Sequence, residues 1–109
     1  MELMYLGHSS FRMKFKSGMV LVTDPFDSGY VGLAFPKQKA DIVTVSHDYK
    51  DHNFVEGVTD PVKREDIFVI NEEGEYEVGG VEVTAMKDGE ENLIMVIRQN
   101  GISLCHLVD

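Results

Sequence analysis

Leu93-Ile94-Met95-Val96-Ile97-Arg98-Gln99-Asn100-Gly101-Ile102-Ser103-Leu104-Cys105-His106-Leu107 is the stretch that decides how this chain folds. Asn-Gly between two apolar runs is the strongest short-range signal for a two-residue hairpin, because both central positions of that turn need positive φ. It predicts that Leu93 to Ile97 pairs with Ile102 to Leu107. Five consecutive apolar residues cannot all point to one side of a sheet, so the first of these strands is expected to be covered on both faces. On the second strand Cys105 and His106 alternate, point to opposite faces and cannot form a nucleophile-base pair. Cys105 is expected to be a buried core thiol.

Outward from that hairpin the same pattern recurs. Gly79-Gly80 sets Tyr76 and Val78 against Val81 and Val83, with Glu77 opposite Glu82, a like-charge pair tolerable only on a wet face. Near the start, Phe11, Met13 and Phe15 alternate with Arg12, Lys14 and Lys16 before Ser17-Gly18 and the run Met19 to Thr23. A two-residue turn there pairs Phe15 with Val20 and Met13 with Val22. A loop rich in Gly, Pro and Ser from Asp24 to Lys39 leads into Ala40-Asp41-Ile42-Val43-Thr44-Val45-Ser46, a β-branched run typical of a buried strand. Asn53-Phe54-Val55-Glu56 has the form of a capping box and predicts one short helix, opposed soon after by Gly57 and Pro61. The fold class expected is α+β and β-rich, a mostly antiparallel or mixed sheet of hairpins with one short helix. Such a sheet needs two covering layers, and the chain offers almost nothing for the second.

The chain has 109 residues, enough for a single domain over residues 1–109. Lys and Arg total 10 against 19 Asp and Glu, a formal net charge of −9. That field repels phosphate backbones and anionic lipid heads, so neither nucleic acid nor a membrane is expected as a partner. No apolar run approaches the roughly 20 residues needed to cross a bilayer. Met1-Glu2-Leu3-Met4-Tyr5 lacks a basic region followed by an apolar stretch, and the single Cys105 suits a reducing compartment, so a cytoplasmic location is expected.

The densest cluster of ligand-type side chains is Ser46-His47-Asp48-Tyr49-Lys50-Asp51-His52-Asn53. A strand ending in His, with Asp and His four and five residues later, can bring imidazole and carboxylate groups to one point above a sheet edge. Borderline cations such as zinc favour that mixture. The same residues also read as a polar loop that caps strand and helix ends. His8 in Gly7-His8-Ser9-Ser10 is open to both readings as well. The acidic stretch from Asn71 to Glu77 reads as a solvated strand face, Asp88-Gly89-Glu90-Glu91 lacks the spacing of a calcium loop, and there is no Gly-rich phosphate loop.

Five segments occur in one order: Tyr5-Leu6-Gly7-His8-Ser9-Ser10-Phe11, Thr23-Asp24-Pro25-Phe26-Asp27, Ala40 to His47, Gly74-Glu75-Tyr76-Glu77-Val78 with Gly80-Val81, and Cys105-His106-Leu107. Together they resemble the metallo-β-lactamase-fold hydrolases, in particular a branch of Zn-dependent hydrolases related to the ascorbate-6-phosphate lactonases. The resemblance spans the chain and implies the first half of an αββα sandwich, since family domains are about twice as long. The family's His-x-His-x-Asp-His signature falls on His47, Tyr49, Asp51 and His52, with Tyr in place of the second His. Its next His ligand falls near Lys87-Asp88, where there is none, and its bridging Asp matches Asp109.

The resemblance therefore implies a metal set reduced to His47, Asp51, His52 and Asp109, with Asp51 as the catalytic residue that orients an attacking water. A phenol with pKa near 10 is a poor zinc ligand, so zinc binding is expected to be weak or absent. The function expected is a metal-dependent hydrolase-like protein with a degenerate, inactive site. The alternative is an active single-metal hydrolase of a small ester, lactone or phosphate-bearing substrate. An uncovered sheet face further predicts a homodimer through the apolar Leu93 to Ile97 face, or pairing with a separately encoded second half.

Overall fold

The computed structural model describes residues 1–7, 9–26, 38–46, 58–89 and 92–106. Eleven strands occur among them: β1 Glu2–Gly7, β2 Ser10–Lys14, β3 Val20–Thr23, β4 Gln38–Lys39, β5 Ile42–Thr44, β6 Val58–Asp60, β7 Phe68–Ile70, β8 Gly74–Val78, β9 Val81–Asp88, β10 Asn92–Gln99 and β11 Ile102–His106. They form a five-stranded sheet in the order β1-β2-β3-β5-β7, a four-stranded sheet in the order β11-β10-β9-β8, and a small β4-β6 pair. The first sheet is mixed, antiparallel across β1-β2-β3 and parallel across β3-β5-β7. The second is an antiparallel meander.

This corrects the expectation of an α+β fold, because every described element is a strand and none is a helix. The residues Asn53 to Glu56 that carry the capping-box signal lie outside the described residues.

The missing layer is also corrected. Met13, Leu21, Ile42 and Ile70 from the first sheet, with Phe15 and Met19 from its β2–β3 hairpin end, pack against Val78, Val81, Val83, Ala85, Leu93, Met95 and Ile97 from the second. Each sheet thus covers the other, and the apolar face that lacked a partner in the sequence finds one within the chain. A second cluster of Leu6, Val20, Val22, Ala40, Val43, Val45 and Val58 fills the other face of the first sheet. For that reason all four residues of β3 and all three of β5 are buried.

The two Gly-containing type I′ turns behave as read. Val78 pairs with Val81 and Tyr76 with Val83 around Gly79 and Gly80, at φ 57° and 84°. Gln99 pairs with Ile102 around Asn100 and Gly101, at φ 51° and 80°. Glu77 and Glu82 face each other on the exposed side, where Arg98 Nε donates to Glu82 Oε2 at 3.3 Å and offsets their repulsion.

The first hairpin differs by one residue. Phe15 N donates to Met19 O at 2.9 Å, so the loop is the three residues Lys16-Ser17-Gly18, with Gly18 at φ 93°. Three-residue loops of this kind place glycine last, at a positive φ. Met13 therefore lies opposite Leu21, and Arg12 opposite Val22. The slip moves Val20 and Val22 to the face away from Met13 and Phe15.

The last hairpin also corrects two expectations. Leu93, Met95 and Ile97 are buried while Ile94 and Val96 are half-buried, so β10 is fully covered on one face only. His106 pairs with the inward Met95 and is buried; Cys105 pairs with Val96 and is exposed, not a core thiol.

Candidate functional site

In sheets with parallel strands, ligand sites form beyond the carboxyl ends of those strands. Here β3 and β5 are parallel neighbours, and their carboxyl ends carry Asp24 and Ser46. Asp24 is fully buried and held at φ 41°, a conformation costly for most non-glycine residues although Asp tolerates it better than most. Its side chain explains why the strain is kept. Asp24 Oδ1 accepts from Ser46 N at 2.6 Å and Oδ2 accepts from Ser46 Oγ at 2.8 Å, while Asp24 N donates to Thr44 O at 2.7 Å. A carboxylate that accepts two bonds from one residue fixes the backbone and side chain of Ser46, the residue that precedes His47 in sequence.

Three more segments reach the same end. Leu93 N, at the start of β10, donates to Ser46 O at 2.7 Å and ties the second sheet to the first. Thr23 Oγ1 accepts from Phe11 N at 2.9 Å and donates to Ser9 O at 3.3 Å, anchoring the β1–β2 turn. His106, the last residue of β11, places Nε2 3.0 Å from Ser9 O and Nδ1 3.7 Å from Asp24 Oδ2. Thr23, Asp24, Ser46 and His106 are all buried, so this is a polar knot closed off from water.

The candidate donors adjoin the knot in sequence. His8 precedes Ser9, His47 follows Ser46, and Asp109 comes three residues after His106. His8, His47, Tyr49, Asp51, His52 and Asp109 all lie outside the described residues. Among the described residues no group of three His, Cys, Asp or Glu side chains is placed to hold a metal ion. Lys87 and Asp88 are described, exposed, and end β9 beside Asn92 at this same end of the sandwich. As chemistry, the imidazoles of His47 and His52 with the carboxylates of Asp51 and Asp109 are a donor mixture that suits a borderline cation.

The knot itself was not assembled from the sequence. Thr23-Asp24-Pro25 and Ser46 lie 22 positions apart between Asp24 and Ser46, and only the parallel pairing of β3 with β5 joins them. The available signal was an Asp directly after a β-branched strand and before proline, where a carboxylate commonly satisfies nearby backbone donors.

A model of the beta-lactamase superfamily domain matches residues 2–109. A UPF0173 metal-dependent hydrolase of Solibacter usitatus is 39% identical over 56 residues, 48% of this chain and 24% of that protein. Its counterpart in Methanosphaera stadtmanae is 32% identical over 54 residues, 48% of this chain and 23% of its own length. A solved structure from Thermotoga maritima, described as a proposed Zn-dependent hydrolase of the metallo-beta-lactamase superfamily, superposes with a TM-score of 0.75 at 31% identity, covering 98% of this chain and 48% of that one. A proposed metal-dependent hydrolase from Parabacteroides distasonis shares the fold alone, with a TM-score of 0.72 at 15% identity over 95% of this chain and 58% of that one. The chain thus spans about half the length of the Thermotoga protein. With a two-sheet sandwich, a polar knot at the carboxyl ends of its parallel strands and a family match from end to end, the chain belongs to the beta-lactamase superfamily.

Proposed function

We propose that this chain is a metal-dependent hydrolase-like protein whose donor set has been reduced to hold at most one cation, and which does not hydrolyse substrate by itself. The observation that carries this reading is the donor count in the sequence that follows β5 and β11: His47, Asp51, His52 and Asp109, with Tyr49 and the exposed Lys87-Asp88 where the resemblance expects two further imidazoles. Zinc, when bound to such a set, supplies Lewis acidity toward water or a substrate oxygen. Asp51 would orient the attacking water, and the buried knot would fix the backbone at Ser46 and His106, from which the chain leads on to the donors. The resemblance to proteins described as metal-dependent hydrolases supports the metal, and zinc is the ion that the imidazole-carboxylate mixture favours.

Elemental analysis after dialysis against zinc-free buffer at neutral pH tests this. We expect less than one zinc per chain; about two per chain would overturn the reading. If a single ion is retained, His52→Ala should release it. Turnover of a lactone or a phosphate ester that disappears in Asp51→Ala would instead favour the active single-metal reading, for which the strained, well-anchored Asp24 is the supporting observation.

A further inference from the structure

Within the buried knot, His106 stands out as a polar group that packing alone does not explain. Its ring is 8% exposed. A carbonyl oxygen only accepts, so the contact to Ser9 O means that Nε2 carries the hydrogen and donates it. Nδ1 is buried with no hydrogen-bond partner among the described residues. It faces Asp24 Oδ2, the oxygen that accepts from Ser46 Oγ. Phe11 meets the imidazole edge-on, with ring centroids 6.0 Å apart.

Burying an imidazole in this way costs solvation that a leucine would not lose. What the imidazole adds is direction. Through Nε2 it ties the end of β11, in the second sheet, to the β1–β2 turn of the first, and Thr23 and Asp24 carry that tie to Ser46 beyond the end of β5. Each of these three segments leads within three residues to a candidate donor. We propose that His106 is a positioning residue that, through Ser9, Thr23 and Asp24, sets the spacing between the exits of β11 and β5, after which the candidate donors follow in sequence. The proposal rests on the single-cation reading for its purpose but not for its geometry.

The test compares the parent with His106→Leu and His106→Gln, the amide of which can still donate to Ser9 O. In metal-free protein, His106→Leu is expected to move the backbone amide signals of Ser46 and His47 in 15N–1H spectra, and His106→Gln to return them toward the parent. Gln has no ring, so their return reports the tether and not a ring current. In a Co2+ titration, His106→Leu is expected to lose about tenfold or more in affinity, with Gln recovering most of it. Melting curves confirm that both variants fold; should Leu fail to fold, His106→Asn, one methylene too short for the tether, takes its place against Gln. Ser46 and His47 signals unmoved by the loss of the tether, or moved alike in Gln and Leu, would overturn the proposal. So would Co2+ affinity unchanged in His106→Leu. A parent that binds no Co2+ agrees with a donor set that holds at most one cation, and the amide signals then decide the positioning role alone.

Discussion

At the scale of single residues, the two most informative side chains are buried carboxylates, and they do different things. Asp24 organises the candidate site. Asp41 organises the chain that returns to it: its Oδ1 accepts from the backbone N–H groups of Val62, Lys63 and Arg64 at 2.9, 2.6 and 2.9 Å, and its Oδ2 from Val20 N at 3.0 Å. Burial alone raises the pKa of this carboxyl, but the four backbone donors outweigh it and hold the group below its ordinary value of 3.8. A carboxyl with a lower pKa folded than unfolded stabilises the protein fully above the unfolded value, and that contribution is lost as pH falls through the folded value. Stability is therefore expected to fall below about pH 4 in the parent, and to fall less steeply there in Asp41→Asn. At neutral pH the same variant should lose roughly 2–4 kcal/mol, because the amide NH2 would confront a backbone donor that the carboxylate accepts. Urea unfolding of both proteins between pH 3 and 7 is the measurement. Asp41 could be read from the sequence as a polar residue at the edge of a β-branched run, but its four partners are 21 to 23 positions away and became visible only in the fold.

At the scale of elements, local chemistry and long-range pairing differ in how legible they were. Gly79-Gly80 and Asn100-Gly101 could be paired residue by residue because a two-residue turn leaves no freedom of register. Lys16-Ser17-Gly18 was misread by one residue because a single glycine does not say whether it stands second or third in the loop. The parallel neighbours β3, β5 and β7 could not be ordered at all, since nothing local links strands joined by long crossovers. Two variants test what these elements hold together. Gly79 sits at φ 57°, and a Cβ there would lie 2.7 Å from Met19 Cε of the opposite sheet. Gly79→Val is thus expected to cost about 1–3 kcal/mol through backbone strain and displacement of Met19. On β10, the fully buried Met95 and the half-buried Ile94 are adjacent but face opposite ways. Met95→Ala should cost about 2–5 kcal/mol and Ile94→Ala no more than about 1.5 kcal/mol. Equal costs would mean that the second sheet is covered on both faces after all.

At the scale of the whole molecule, the sheets cover each other's inner faces, and among the described residues the longest exposed apolar run lies along an edge, on β1. Leu3 is 53% and Met4 52% exposed, and among the described residues β1 pairs only with β2. Sheets usually blunt such an edge with lysine, proline or a bulge. Leu3-Met4-Tyr5 has no such residue, and the one irregularity lies beyond it, between Tyr5 and Gly7. Antiparallel pairing of two copies about Met4 would set Leu3 opposite the partner's Tyr5 and Glu2 opposite the partner's Leu6, so that no like charges meet along the strand. A second copy is therefore the occupant we propose for this edge, in an isologous arrangement that replaces the face-to-face contact through Leu93 to Ile97, now filled from within. The net charge of −9 on each copy opposes the association, so it should tighten as salt is added. Sedimentation equilibrium at micromolar concentration is expected to show a dimer of the 12.3 kDa chain. Met4→Lys should give a folded monomer, because it charges the edge without entering the core. A parent that remains monomeric as salt rises, or a Met4→Lys variant that dimerises as well as the parent, would remove β1 as the contact. Loss of the dimer in Val96→Glu but not in Met4→Lys would move the interface to the outer face of the second sheet.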